Sequence, residues 1–230
     1  MNFKQAHSSN FRVGRISPIK YLVIHYTSNN GDTAKNNIDY YARTPNLSAS
    51  AHYYVDENEI WQSVLEKDTA WHCGASTYKH NECRNSNSIG IELCSRYTGN
   101  LTADKKANTV DFNKYYFKDA VIERAVTLTK ELMAKYNIPI SNVIRHYDVT
   151  GKTCPAPMVN DTKQWQAFLN KLSAPKKKIE SGNDIVWALM NGGYNVEINE
   201  VAKAVKAVDK AKTSDEFHSF YWILYKIVNK

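Results

Sequence analysis

The run Lys20-Tyr21-Leu22-Val23-Ile24-His25-Tyr26 limits the fold more than any other stretch of this chain. Apolar and β-branched residues follow one another without polar relief, so the segment reads as a buried strand. Ser88 to Cys94 reads the same way, with one carboxylate, Glu92, inside it, and Val143-Ile144 is a shorter third strand. Ala51 to Val55 and Glu59 to Val64, joined by Asp56-Glu57-Asn58, give a hairpin signal. Helical patterns fall between these strands. Asp32-Thr33 can cap a helix running to about Ala42, stopped before Pro45. Phe117, Val121, Ala125, Leu128, Leu132 and Met133 recur at helical spacing between about Tyr115 and Tyr136. A further helix, about Asp161 to Leu172, carries Trp165, Phe168 and Leu169 on one face, whereas residues 95–113 are expected to be loop. Strands interleaved with helices predict an α/β core.

At Ser173-Ala174-Pro175-Lys176-Lys177-Lys178 the pattern breaks. The expected organisation is a main domain over residues 1–173, a basic linker over 174–181, and a small all-α domain over 182–230. The tail has three helix-like segments, no strand signal, and many aromatics for its length, among them Trp187, Phe217, Phe220, Tyr221 and Trp222. Of 230 residues 43% are hydrophobic, enough for an ordinary core, and the net charge of +7 suits an acidic partner without choosing one. No helix-turn-helix or Cys/His finger pattern supports nucleic acid as that partner. No stretch approaches the roughly 18 apolar residues of a membrane span. The first ten residues lack the apolar run of a secretory signal, so synthesis in the cytoplasm is expected. In that reducing setting a thiol reads as a ligand or a core residue.

The stretch from Arg145 to Pro155 sets an imidazole (His146), an amine (Lys152) and a thiol (Cys154) within nine positions. Donors of this softness suit one zinc ion, but a catalytic zinc needs a third protein ligand and an open position. His25 is the candidate, because it closes a buried strand, where α/β folds present site residues. Taken alone, a histidine there is more often a hydrogen-bonded structural residue. Glu92 is the candidate acid or base, since a lone carboxylate in an apolar strand is costly unless it serves a site.

Five segments together are similar to one family. They are Val23-Ile24-His25-Tyr26-Thr27, Ser50-Ala51-His52-Tyr53, Ala70-Trp71-His72-Cys73-Gly74, Asn87 to Leu93, and His146 with Gly151, Lys152, Cys154 and Pro155. From about Lys20 to Leu172 the chain resembles the zinc-dependent N-acetylmuramoyl-L-alanine amidases, a family that includes a phage lysozyme and the peptidoglycan recognition proteins. The resemblance implies a central mixed β-sheet flanked by helices with a zinc site at one face. It implies hydrolysis of the amide between N-acetylmuramic acid and L-alanine, with His25, His146 and Cys154 as zinc ligands. Glu92 would be the proton carrier, Lys152 the oxyanion partner, and Trp71 and His72 contacts to substrate. One departure is that Ala51 stands where some members carry a catalytic tyrosine; Tyr53 or Tyr54 is not expected to replace it, and His52 is expected to be structural. Cys73, Cys83 and Cys94 receive no role.

The expectation is therefore a peptidoglycan-degrading enzyme of phage endolysin type, reaching the wall after holin-dependent release, with the aromatic tail binding wall. The alternative is a non-catalytic peptidoglycan-binding protein of the same fold. Oligomeric state is not legible.

Overall fold

The computed structural model describes residues 2–173, which belong to one unit of the chain. The linker and the three tail helices expected from sequence lie outside the described residues.

In chain order the strands are β1 (Asn2–Phe3), β2 (Phe11–Arg12), β3 (Tyr21–Tyr26), β4 (Tyr53–Val55), β5 (Ile60–Gln62), β6 (Thr69–Ala70), β7 (Ser88–Leu93), β8 (Arg96–Tyr97), β9 (Tyr115–Tyr116) and β10 (Val143–Arg145). The helices are α1 (Ala34–Arg43), α2 (Leu101–Ala107), α3 (Asp119–Tyr136), α4 (His146–Thr150), α5 (Ala156–Asn160) and α6 (Thr162–Ser173). Six strands form a mixed sheet in the order β1-β5-β4-β7-β3-β10. The pairs β4–β7, β7–β3 and β3–β10 are parallel, and β4–β5 is the expected antiparallel hairpin. Asp56 makes that turn, its Oδ1 accepting from the backbone N–H of Asn58 and Glu59.

The sheet's two faces follow from the two-residue period of its central strands. Leu22 and Ile24 of β3 and Ile89, Ile91 and Leu93 of β7 point into the main core. There they meet Val121, Ala125, Leu128 and Leu132 of α3 and Phe168 and Leu172 of α6. Full burial of each such side chain is worth about 1.5–3 kcal/mol. The opposite face carries Tyr21 and Val23, covered by Cys73, Cys83 and Val149. On this second face the functional candidates stand at the carboxyl ends of the parallel strands. In register, Tyr54 of β4 lies opposite Glu92 of β7, and Glu92 lies opposite His25 of β3. His146 follows Arg145, the residue opposite Ile24. Tyr54, Glu92 and His25 thus form a row across three neighbouring strands, and His146, the first residue of α4, continues it just past the end of β10.

Two local features depart from the sequence expectation. Helix α2 occupies part of the segment expected to be loop. Asn100 caps it by accepting from the Ala103 N–H at 3.0 Å, and Asn108 ends it at φ 57°. Only Leu101 of its seven residues is buried, so it carries no apolar period to read. The second lies in the N-terminal arm, to which the sequence reading assigned no element: β1 extends the sheet beside β5 and β2 pairs with β6.

Candidate metal centre

Helix α1 begins the wall of the cleft beside β3. Thr33 and Asn36 form its reciprocal cap, and Asp32 just before it accepts from Thr27 Oγ1, Asn29 Nδ2 and Asn37 Nδ2. The opposite wall is the turn after β10. Arg145 and Asp148 form a multidentate ion pair at the start of α4, and Gly151, at φ 83°, ends that helix in a conformation that side chains resist. The chain then doubles back, and the Tyr147 N–H donates to the Cys154 carbonyl at 2.8 Å. This closes the loop and sets Cys154 beside His146. The Cys154–Pro155 bond is cis.

His25, His146 and Cys154 are all buried, with one potential ligand atom from each lying within 4.8 Å of the others. His25 Nδ1 lies 3.7 Å from Cys154 Sγ, and His146 Nδ1 is enclosed with no hydrogen-bond partner among the described residues. An ion with tetrahedral bonds of about 2.3 Å to sulfur and 2.0 Å to nitrogen separates those donors by about 3.5 Å. Burial, then the neighbouring histidines and Lys152, holds His25 far below its usual range. Burial and Lys152 bring His146 down to about 3. Both imidazoles are therefore neutral with a lone pair to offer. Burial and the nearby Glu92 push the Cys154 thiol up, a balance that a bound cation reverses. The donor set fits zinc.

Glu92 is half-buried, and its Oε2 is enclosed with no hydrogen-bond partner among the described residues. Burial raises its pKa to about 8, with Lys152 opposing and Asp32 adding to the shift. Its surroundings therefore favour the protonated acid at neutral pH in the metal-free protein. Lys152 is exposed on the loop between His146 and Cys154. All five residues line one cleft of about 840 Å³. A second depression adjoins it, and the two share Ala49, Trp71, His72, His146 and Lys152. The half-buried Trp71 thus stands where the two meet, its backbone tied to Ser50 in both directions.

His72 lines both depressions, as a substrate contact would. Both of its ring nitrogens are engaged within the protein, Nδ1 with His25 Nε2 at 3.0 Å and Nε2 with Ser88 Oγ at 3.1 Å. His52 is fully buried, with the Gly90 N–H donating to its Nδ1, as expected of a structural residue. Tyr53 turns into the main core and bonds Glu66, whereas Tyr54 lines the cleft floor at 1% exposure. Sequence reasoning missed Asp32, Tyr41 and Tyr54 as cleft residues. A period-two pattern would put Tyr54 on the face of His52 and opposite Ala51, but the regular strand begins only at Tyr53.

A buried His/His/Cys cluster able to hold a metal ion stands beside an enclosed carboxylate at the carboxyl edge of a mixed sheet. Residues 15–157 match the family model described as N-acetylmuramoyl-L-alanine amidase, and the chain belongs to that family. Among curated relatives, N-acetylmuramoyl-L-alanine amidase CwlL of Bacillus licheniformis is 30% identical over 170 residues, covering 70% of this chain and 42% of the relative. AmiD of Escherichia coli, named for the same activity, is 34% identical over 152 residues, covering 61% of this chain and 50% of the relative. The chain thus spans half or less of the length of these relatives. Among solved structures, PlyL aligns with a TM-score of 0.58 at 28% identity, covering 76% of this chain and 97% of that one. The catalytic domain of XlyA aligns with a TM-score of 0.55 at 27% identity.

Proposed function

We propose that this protein is a cell-wall hydrolase that cleaves the amide between N-acetylmuramic acid and L-alanine in peptidoglycan, with one zinc ion held by His25, His146 and Cys154. The observation that carries this reading is the opening of the three donors and the unpartnered carboxyl of Glu92 into one cleft. Zinc bound there supplies a Lewis acid that makes water acidic enough to react near neutral pH. As a carboxylate, Glu92 takes a proton from the attacking water while the water oxygen bonds to the carbonyl carbon. It returns that proton to the nitrogen as the C–N bond breaks and L-alanine leaves as an amine. Lys152, exposed at the mouth, faces the negative charge that grows on the carbonyl oxygen. Trp71 offers an apolar face to sugar or peptide where the two depressions meet.

A non-catalytic peptidoglycan-binding protein of the same fold has no need of an enclosed, desolvated acid beside three metal donors. The phage-type endolysin reading is supported by the likeness to a solved structure described as a mutant endolysin from Bacillus subtilis, with a TM-score of 0.57 at 28% identity. In that reading the protein reaches the wall by holin-dependent release. Among the described residues no helix is long and apolar enough to cross a membrane.

The test is digestion of purified walls by the full chain. New L-alanine amino termini are expected, abolished by a chelator and restored by zinc. New reducing sugar ends would instead mean glycosidase chemistry and overturn the proposal. The aromatic tail, residues 182–230 beyond the linker 174–181, is proposed to bind wall, because a second module raises effective concentration at the polymer. A chain ending at residue 173 is then expected to keep zinc but sediment less with walls than the full chain. Equal sedimentation would remove the tail from the binding function.

A further inference from the structure

The hydrogen bonds behind His25 run in one direction, and that direction can be worked out from its far end. Ser88 Oγ lies 2.7 Å from the Arg84 carbonyl oxygen, which carries no proton, so the serine hydroxyl must donate there. Having spent its one proton, Ser88 Oγ can only accept from His72 Nε2 at 3.1 Å. A neutral imidazole with its proton on Nε2 has a lone pair on Nδ1, and His72 Nδ1 faces His25 Nε2 at 3.0 Å. His25 must then carry its own proton on Nε2. Its Nδ1 is left as a lone pair, and that atom faces Cys154 Sγ.

We infer that His72 is a positioning residue, holding His25 in the one tautomer and ring orientation that present Nδ1 to a metal ion. The inference deepens the zinc reading above and rests on it for its consequence, though not for the tautomer itself. Histidine ligands generally donate the outer N–H to a carboxylate, carbonyl or water. Here the acceptor is another imidazole, itself anchored through Ser88 to the backbone of residue 84. The packing is matched to this role. His72 lies against Gly90 of β7, where a Cβ would fall 2.5 Å from His72 Cγ and 2.8 Å from its Nδ1. The glycine leaves room for the ring to lie flush on the strand between His25 and Ser88. The His25 and His72 rings meet edge to face, at 89° and 5.1 Å between centroids.

The test uses full-length protein and two readouts other than activity. In metal-free wild type, ¹⁵N shifts of the histidine rings are expected to show His25 as the Nε2–H tautomer. Zinc affinity, read by competition with a chromophoric chelator, is expected to fall about 10–100-fold in His72→Ala, the range for loss of an outer-shell partner. His72→Asn places an amide oxygen near the former Nδ1 and is expected to recover most of that loss. Gly90→Ala, which displaces the ring without removing it, is expected to weaken zinc as well. A proton on Nδ1 of His25 in wild type overturns the inference even if every variant fails to fold. Equal zinc affinity in folded His72→Ala and wild type also overturns it. Failure of wild type to bind zinc at all would sink the metal reading instead, leaving the tautomer to be judged by its shifts alone.

Discussion

Glu92→Gln is expected to lower release of L-alanine termini by about 10²–10⁴-fold, the usual yield of a positioned acid–base group. The same change is expected to stabilise the metal-free protein at high pH. In the folded state the carboxyl titrates near 8, against 4.5 for its ordinary value, chiefly because burial disfavours the charged form. The folded chain therefore holds this proton more tightly than the unfolded chain. Its contribution to stability is fully present below about 4.5 and is lost as pH rises towards 8. Glutamine cannot ionise and escapes that loss. With chelator present, the variant is expected to match wild type near pH 4 and exceed it by a few kcal/mol near pH 8. Denaturant unfolding of both proteins at the two pH values reads the difference. A variant less stable than wild type at pH 8 would mark Glu92 as a salt-bridged structural acid, and unimpaired wall digestion would remove it from the reaction.

The second large effect is expected at the ligands. Zinc that binds the folded chain stabilises it by about 2.7 kcal/mol at a free concentration 100 times its dissociation constant. Wild type is expected to gain that increment on titration with zinc. His146→Ala, which removes the enclosed and unpartnered Nδ1, is expected to gain little. Its zinc affinity should fall by more than the about 10–100-fold that loss of an outer-shell partner costs. Wall digestion should fall to background. A zinc-dependent rise in melting temperature as large as that of wild type would take His146 out of the ligand set.

The candidate ligands and the candidate acid stood out in the sequence because each sits in or beside a segment with its own strong pattern. His25 closes an apolar run, Glu92 is the lone charge in another, and His146 and Cys154 flank a turn marked by Gly151 and Pro155. Their convergence needed the resemblance, since no local pattern sets which strands become neighbours. The role of His72 was not readable, because it depends on how the loop from Trp71 to Asn87 lays its start over Gly90. Tyr54 was not readable as a cleft residue, because the chain around Ala51 has not entered the strand and alternation cannot be counted from there. Helix α2 escaped because a helix with one buried residue looks like loop to any method that reads apolar period.

The row from Tyr54 to His146 has a consequence for how such a site can change over time. Tyr54, Glu92 and His25 stand on three neighbouring strands and His146 directly follows a fourth, so their spacing is set by the roughly 4.8 Å repeat of the sheet itself. Much of the surrounding rim comes from connecting segments: the residues before α1, those around 48–50, and the loop from Trp71. Insertions there can reshape the cleft mouth while leaving the row at fixed separations. The scaffold therefore decouples the outline of the cleft from the spacing of the groups at its floor.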